Sequence, residues 1–262
     1  MIPPRPKDAL VPTVDVVIPV LNEAHVLEKS VRTVLMYLRR SSFPYQWQIV
    51  IVDNGSSDGT QNVAKLLCKQ EREVRFVHLY QRGRGRALRH AWLQSKADIV
   101  CYMDVDLSTA LDHIPELIDA IAHDGYDLAI GSRLMRQSQT KRSFKREVIS
   151  RIYNAFVRSV LSTRFSDAQC GFKALSRRAV EAIVPQIEDQ SWFFDTECLV
   201  LAEKQGYRIK DIPVVWIEDD DTRVKIFQTG WEDIKGVFRL RQQLSTRRLT
   251  TTQVANADRR QQ

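Results

Sequence analysis

Several features that would assign this chain to a specialised class are absent from its sequence. The cysteines, Cys68, Cys101, Cys170 and Cys198, form no CxxC pair, so neither a zinc site nor a dithiol redox motif is indicated. No stretch approaches the ~20 apolar residues of a membrane-spanning helix. The N-terminal residues lack the long apolar core of a signal peptide. We expect reduced thiols in a cytoplasmic chain that is soluble or peripheral to a membrane.

What the sequence does contain is a globular composition with an excess of basic residues. The 262 residues are 44% apolar and 27% charged, and the formal net charge is +7. A basic balance favours polyanionic partners, namely nucleic acid, anionic membrane or phosphorylated substrates, without choosing among them. The pattern predicts an extension over 1–13, a folded domain over 14–226, a helix over 227–244 and a disordered tail over 245–262.

Short apolar, β-branched runs alternate with amphipathic segments along the first half of the chain. They predict buried strands at 14–20, 47–53, 74–80, 98–103 and 127–130, with helices between them. This repeat predicts an α/β fold with a mostly parallel central sheet and helices on both faces. In such sheets, ligands bind beyond the carboxyl ends of the strands. Further along, we expect a short edge strand at 172–174 and one strand over 209–216.

Two acidic residues, Asp104 and Asp106, follow the fourth predicted strand directly. Two carboxylates at this spacing can hold a hard cation such as Mg²⁺ or Mn²⁺. Such a cation can neutralise a diphosphate and help it to depart. The alternative is a solvated loop without a ligand.

Two other segments also follow predicted strands. The first, PVLNE at 19–23, ends the first strand, and the second, VDNGSSDGT at 52–60, ends the next one. Glycines there permit a tight turn, and Ser57 or Asp58 can cap the following helix. Each segment alone also fits a plain strand-to-helix connection.

Together, and in this order, PVLNE, VDNGSSDGT and MDVDLS resemble the family 2 glycosyltransferases. Further matches are RGRG at 82–85, GSR at 131–133, DAQCGFK at 167–173, FDTE at 194–197 and TRV at 222–224. The set is similar to the branch that makes dolichyl- and polyprenyl-phosphate sugars. The resemblance implies the nucleotide-binding α/β fold called GT-A.

The resemblance also implies a role for each matched residue. The residues expected to contact the nucleotide are Pro19, Leu21, Glu23, Asp53, Arg84, Asp104 and Arg223. Asp106, with Asp104, would hold Mg²⁺ or Mn²⁺. The catalytic candidates are Asp104, Asp106, Arg133, Asp167 and Asp195, of which the last three would face the phosphates, the sugar or the acceptor. An acidic residue at a helix start, such as Asp195, can equally serve the helix dipole.

The implied reaction is metal-dependent, inverting transfer of a hexose from a nucleotide sugar to polyprenyl or dolichyl phosphate. UDP-glucose is favoured over GDP-mannose, because DVDLST and DAQCGFKA look closer to the glucosyl branch. A phosphate monoester is already an anion near neutral pH, so a strong general base is less necessary. A second possibility is a saccharide hydroxyl acceptor, with Asp195 or Asp167 as base. A third is a non-catalytic basic domain that binds membrane or nucleic acid, whereas the enzyme interpretation expects no nucleic-acid partner.

Segment 143–161 predicts a helix with an apolar stripe and basic flanks. The stripe residues are Phe144, Val148, Ile149, Ile152, Phe156 and Val160. Such a helix can lie on an anionic membrane, although the same pattern fits a surface helix packed on the core. We therefore expect a peripheral association with the cytoplasmic face of a membrane. A stable hold would need this helix and its charges, a membrane-anchoring partner protein or a further segment.

Overall fold

The computed structural model describes residues 11–41, 43–218 and 226–258, and the side chains within them except those of 226–229 and 247–258. Arg223 and the TRV segment lie outside the described residues. The strands are β1 (Thr13–Val20), β2 (Gln46–Asn54), β3 (Val74–Leu79), β4 (Ile99–Met103), β5 (Leu128–Ser132), β6 (Gln139–Lys141), β7 (Phe172–Ser176), β8 (Ile209–Pro213) and β9 (Val215–Ile217). The helices are α1 (Leu27–Arg40), α2 (Thr60–Gln70), α3 (Arg84–Gln94), α4 (Ile114–Ala122), α5 (Phe144–Leu161), α6 (Arg177–Ile183), α7 (Phe194–Lys204) and α8 (Ile226–Asp258).

Seven strands form the central sheet in the order β3-β2-β1-β4-β7-β5-β8. All pairings among β3, β2, β1 and β4 are parallel, as is that of β5 with β8. The first five predicted strands are all present, and the predicted mostly parallel α/β architecture is confirmed. Helices α1, α2 and α4 cover one face, and α3, α5, α6, α7 and α8 cover the other.

The position of β7 corrects the sequence prediction of an edge strand. It lies inside the sheet, antiparallel to both β4 and β5. Phe172 and Ala174 are fully buried, as a strand with neighbours on both edges and both faces requires. A run of five residues is too short to reveal its neighbours from periodicity alone.

The predicted single strand over 209–216 is two strands. β8 ends at Pro213, which has no N–H to continue the ladder, and β9 begins at Val215. β9 then pairs with β6 in a separate two-stranded sheet. The chain thus leaves the central sheet and crosses beside the loop that follows β4, where Ile217 N donates to Ser108 O at 2.9 Å.

The last helix, α8, packs against α5 and α7 and is longer than predicted. It continues to Asp258, past the expected end at 244, so residues 245–258 are helical where the sequence predicts disorder. A Cβ on Gly236 would lie 2.5 Å from the Phe193 ring, so this glycine permits the close approach. Arg239 adds an ion pair to the buried Glu197 at 2.6 Å. Among the described residues, no helix has the length and apolar character that a bilayer crossing requires.

Candidate active site

The loop after β4 separates its two carboxylates by a turn of the backbone. Val105 is buried between them, while Asp106 is exposed and the side chain of Asp104 is partly exposed. Leu107 has φ +53°, a left-handed conformation that closes the turn, and its N–H donates to Asp104 O at 3.2 Å. Asp106 caps the turn by accepting from Ser108 N at 3.0 Å. Both acids lie at the carboxyl end of the sheet, as predicted.

Arg84, at the start of α3, joins Asp104 to Asp195. Its guanidinium nitrogens lie 2.5 Å from Asp104 Oδ1 and 3.0 Å from Asp195 Oδ2. The guanidinium also lies 5.1 Å from the ring centres of both Tyr102 and Trp192, which is cation–π distance. Burial opposes the charge of Arg84, but the two carboxylates outweigh it and raise the pKa further. The structure therefore places a permanent cation against the D-x-D loop.

Asp195 is enclosed by partners at the first turn of α7. It is 3% exposed, and besides Arg84 it pairs with the buried Lys173 at 3.0 Å. The Tyr102 hydroxyl donates to the same carboxylate. Burial and then the charge of Asp195 raise the pKa of Tyr102 well above its usual value, so it remains a neutral donor. Asp195 is thus the centre of a closed hydrogen-bonded network.

Asp167 forms a second closed pair, with Arg133 from the end of β5. Arg133 Nε and Nη2 donate to the two carboxylate oxygens at 2.7 and 3.0 Å, and its backbone N–H adds a third bond at 3.1 Å. Burial would raise the pKa of Asp167, but Arg133 outweighs it and holds the pKa at about 2. The guanidinium lies 5.5 Å from the Trp216 ring centre. This bidentate pair fixes Arg133 against the start of the turn 167–171.

Gly171 connects the two pairs through the turn 167–171. A Cβ built on Gly171 would lie 1.7 Å from Asp104 Oδ2 and 2.8 Å from Arg84 Nη2. The turn that begins at Asp167 therefore ends directly against the D-x-D carboxylate. A Cβ at this position would require the side chains of Asp104 and Arg84 to shift, so glycine permits their present arrangement.

The predicted nucleotide-side residues divide into buried and accessible ones. Pro19 and Asp53 are buried, and Asp53 accepts from Ser56 N at 3.0 Å and pairs with His78 Nδ1 at 2.8 Å. Leu21 and Glu23 are partly exposed in the loop after β1. That loop is joined to the 52–60 turn by hydrogen bonds, among them Ser57 N to Asn22 Oδ1 at 2.8 Å and Glu23 N to Thr60 Oγ1 at 2.8 Å. Contacts of these residues with a nucleotide stay predictions.

The donor set of the D-x-D loop fits a hard divalent cation. Asp104 and Asp106 supply carboxylate oxygens, and the buried Ser108 Oγ beside them has no hydrogen-bond partner in the described part of the chain. No cluster of three or more His, Cys, Asp or Glu residues that could hold a metal occurs within those residues. A protein site of few carboxylates suits Mg²⁺, which takes its remaining ligands from water and substrate phosphates.

A family assignment follows from comparison with known proteins. The profile of the family described as Glycosyl transferase family 2 matches residues 15–184, from β1 to the end of α6. The chain belongs to glycosyltransferase family 2. The resemblance drawn from the ordered motifs is confirmed, and glycosyl transfer is the chemistry of this transferase.

Within this family, the chain is similar to two curated relatives. The transferase is 38% identical over 214 residues to glycosyltransferase AglD of Haloferax volcanii, covering 81% of this chain and 34% of that protein. It therefore spans about a third of the Haloferax protein's length. It is also 30% identical over 230 residues to the dolichyl-phosphate beta-glucosyltransferase of Saccharomyces cerevisiae, covering 80% of this chain and 69% of that protein.

Solved structures support the fold. The glucosyl-3-phosphoglycerate synthase of Mycobacterium tuberculosis, in complex with Mn²⁺, UDP-glucose and phosphoglyceric acid, matches with a TM-score of 0.66 and 18% identity, over 88% of this chain and 80% of that one. A complex of the same enzyme with Mg²⁺ and UDP matches with a TM-score of 0.62 and 18% identity, over 84% and 74%. At this identity the likeness shows the fold, and the predicted GT-A architecture is confirmed.

Several residues of the transferase's site were not singled out by the sequence. Lys173 and Tyr102 complete the network around Asp195, and Trp192 covers Arg84. Lys173 lies within the DAQCGFK motif, so the motif contained a signal for it. Tyr102 and Trp192 carried none, because an aromatic residue in a buried strand or a loop has no distinguishing pattern.

Proposed function

We propose that the transferase moves glucose from UDP-glucose to a polyprenyl or dolichyl phosphate, with Mg²⁺ or Mn²⁺, at the cytoplasmic face of a membrane. The observation that carries the proposal is the state of the two candidate general bases, Asp167 and Asp195. Both are buried, and both are engaged in ion pairs with fixed cations.

A saccharide hydroxyl acceptor would need one of these carboxylates to take its proton. Asp167 has a pKa of about 2, and both of its oxygens accept hydrogen bonds from Arg133, so it is a poor base near neutral pH. Asp195 would first have to release Arg84, Lys173 and the Tyr102 hydroxyl. An acceptor that is already an anion avoids this step, and a phosphate monoester with pKa₂ ≈ 6 meets that requirement.

The reaction then balances without a proton transfer by the protein. An acceptor phosphate oxygen forms the bond to the anomeric carbon, while the bond from that carbon to the UDP oxygen breaks and its electron pair leaves with UDP. In-line displacement inverts the anomeric centre. Arg133, held in place by Asp167, supplies a fixed cation on the acceptor side, and Arg84 supplies one on the diphosphate side. Charge-assisted bonds from arginine to phosphate are strong and directional.

Asp106 and Asp104 would hold the divalent cation, with Ser108 Oγ as a further oxygen ligand. When bound, the cation stabilises the charge that develops on the departing diphosphate. Arg84 already occupies one oxygen of Asp104 at 2.5 Å, which leaves Asp106 as the more accessible ligand. The complexes of the structural neighbour with Mn²⁺ and Mg²⁺ support this assignment.

The choice of glucose and of a lipid acceptor rests on the relatives. The name of the Saccharomyces protein states a dolichyl-phosphate acceptor and glucosyl transfer. The structural neighbour was crystallised with UDP-glucose. GDP-mannose remains the second donor to test.

A membrane-facing surface is available on α5. Phe144 and Ile152 are 83% and 64% exposed, and Val148 between them is 36% exposed, so the first half of the predicted stripe faces away from the core. Phe156, further along, packs instead against Phe238 of α8 with ring centres 6.0 Å apart. An exposed apolar stripe with basic residues beside it can enter the headgroup region of an anionic bilayer.

The cytoplasmic side is supported by four free cysteines, of which Cys101, Cys170 and Cys198 are buried. A membrane-anchoring partner protein stays a prediction from the sequence.

The test is a donor and acceptor screen with the purified chain. Radiolabelled UDP-glucose and GDP-mannose are each incubated with dolichyl phosphate, polyprenyl phosphate or a free oligosaccharide, with Mn²⁺, Mg²⁺ or EDTA. The proposal expects label from UDP-glucose to enter the chloroform phase only with a lipid phosphate and a divalent cation. Label that enters the oligosaccharide instead would establish the hydroxyl-acceptor alternative.

A further inference from the structure

Asp233 of α8 is a buried carboxyl group that the proposed reaction does not use. It is 3% exposed, although it lies in a surface helix. Its Oδ2 accepts from Gln169 Nε2 at 3.3 Å, while Oδ1 is buried without a hydrogen-bond partner among the described residues. A buried polar atom without a partner is costly, so its retention calls for a physical reason.

The surroundings of Asp233 do not neutralise it. The titratable groups around it are Tyr153 of α5, Asp195 of α7, Asp189 in the preceding loop and Glu232 of α8 itself. Burial, followed by the charges of these acids, raises the pKa of Asp233 to about 7, against the opposing effect of Gln169. The residue is therefore partly ionised near neutral pH.

Packing of α8 fixes Asp233 in this place. Three residues further on, Gly236 lies against the Phe193 ring, and Arg239 pairs with the buried Glu197. Both contacts are to the segment that begins α7. The helix therefore cannot withdraw the carboxyl group from Gln169 without losing both contacts.

Gln169 is the middle residue of the turn 167–171, whose two ends are already held. Asp167 is fixed by Arg133, and Gly171 lies against Asp104. The Gln169 backbone N–H donates to Asp167 Oδ1 at 3.1 Å, but its side chain is exposed and has Asp233 as its hydrogen-bond partner.

We propose that Asp233 is a positioning residue for the acceptor, because it holds the Gln169 side chain, and with it the middle of the turn that connects Arg133 to Asp104. The inference rests on the proposed function. It adds that a contact from α8 holds the part of the proposed site that faces the acceptor. Asp233 itself touches no substrate.

Ionisation of Asp233 strengthens the bond from Gln169, because hydrogen bonds to a charged acceptor are stronger than neutral ones. Acceptor use should therefore improve as the pH rises through about 7. The acceptor phosphate ionises near pH 6, so the two effects overlap in the wild type. The Asp233→Asn variant separates them, because it keeps an oxygen for Gln169 and loses the titration.

The experiment measures kcat and KM for the lipid phosphate from about pH 5.5 to about pH 8.5, at saturating UDP-glucose and Mn²⁺. We expect the wild type to show an inflection of kcat/KM near pH 7 that Asp233→Asn lacks, with the donor KM unchanged. Gln169→Leu should raise the acceptor KM about tenfold and remove the same inflection. Asp124→Asn, which removes an exposed charge that is not among the groups acting on Asp233, should keep the wild-type profile.

A second readout does not depend on transfer. The raised pKa means that the folded protein binds more protons than the unfolded chain between about pH 4 and about pH 7, so the wild type should lose thermal stability relative to Asp233→Asn as the pH rises through that window. If the wild type transfers glucose but Asp233→Asn and Gln169→Leu share its pH profile and acceptor KM, the inference is wrong. If the wild type transfers no sugar to lipid phosphate, the proposed function itself fails, whatever the stability comparison gives.

Discussion

The α-carbon of Gly171 lies against the carboxylate of Asp104, so close that a methyl group on it would sit 1.7 Å from Oδ2. The contact joins the first residue of the D-x-D pair to the end of the turn that Asp167 begins. The position of Asp104 is therefore set partly by a residue 67 positions later in the chain.

Gly171→Ala should displace Asp104 from its present position. Because the clash is with a carboxylate held by Arg84, we expect a loss of about 1–3 kcal/mol in the free energy of unfolding and a loss of Mn²⁺–UDP binding. Chemical denaturation and calorimetric titration measure the two effects. Gly230→Ala is the control, because a Cβ at this helical position meets no atom of the described residues within 4 Å. Equal nucleotide binding by Gly171→Ala and the wild type would contradict the assigned role of the contact.

Asp106→Asn should abolish divalent-cation binding while preserving the fold. The exposed amide keeps the shape of the side chain but is a weaker ligand for a hard cation, so we expect transfer to fall at least about 100-fold. The rate is measured at several Mn²⁺ concentrations, alongside the shift in melting temperature produced by Mn²⁺ and UDP. Asp124→Asn, at an exposed position away from the site, controls for the change in charge. A parent-like rate in Asp106→Asn would refute the metal site.

The Arg133–Asp167 pair should make stability depend on acid pH. The folded pKa of Asp167, about 2, is below its unfolded value of 3.8. The stabilisation is therefore complete above about pH 4 and is lost as the pH falls toward 2. At pH 7, Asp167→Asn should have a lower free energy of unfolding than the wild type, and this difference in free energy should shrink on acidification. A difference in the free energy of unfolding that stays constant down to pH 2 would mean that the ion pair contributes nothing.

Arg133→Ala tests the same pair from the other partner. Removing the guanidinium leaves a fully buried carboxylate without its cation, which typically costs about 3–5 kcal/mol. Urea unfolding at pH 7 measures this loss, and we also expect the acceptor KM to rise more than the donor KM. An equal rise in both KM values would argue against a position for Arg133 on the acceptor side.

The exposed stripe of α5 should govern binding to lipid vesicles. The double variant Phe144→Ser/Ile152→Ser removes two apolar side chains from the surface, so its partition onto anionic vesicles should fall about tenfold or more. Sedimentation with vesicles measures the partition. The matched control is Met36→Ser/Leu66→Ser, which removes two exposed apolar residues from α1 and α2 on the other face of the sheet. Equal losses in both variants would show that the stripe has no special role.

The sequence was informative where structure is determined locally. Buried β-branched runs such as 14–20 and 47–53 are recognisable because a strand covered on both faces is apolar throughout. Their ends fix where Asp53, Asp104 and Asp106 lie, so the edge of the sheet that carries the site follows from the pattern. The ordered motifs then supplied the family.

Partners distant in sequence could not be predicted in the same way. Arg84 and Asp195 are 111 positions apart, and nothing local to either indicates that the other will neutralise it. Asp53 is buried beside His78, which comes from the neighbouring strand. The central position of β7 depends on β4 along one of its edges and β5 along the other. Such pairings arise from the topology of the sheet, which periodicity does not record.

The antiparallel strand β7 has a consequence for how this enzyme could acquire new acceptors. Its backbone hydrogen bonds to β4 join the turn 167–171 to the D-x-D loop, so strand register fixes the spacing between these two segments, which the proposed reaction assigns to the acceptor and to the diphosphate. A bulkier or longer acceptor cannot be accommodated by separating these two segments. Changes in acceptor range should therefore arise in α5 and α8, outside the sheet, while the distance over which the sugar travels stays constant.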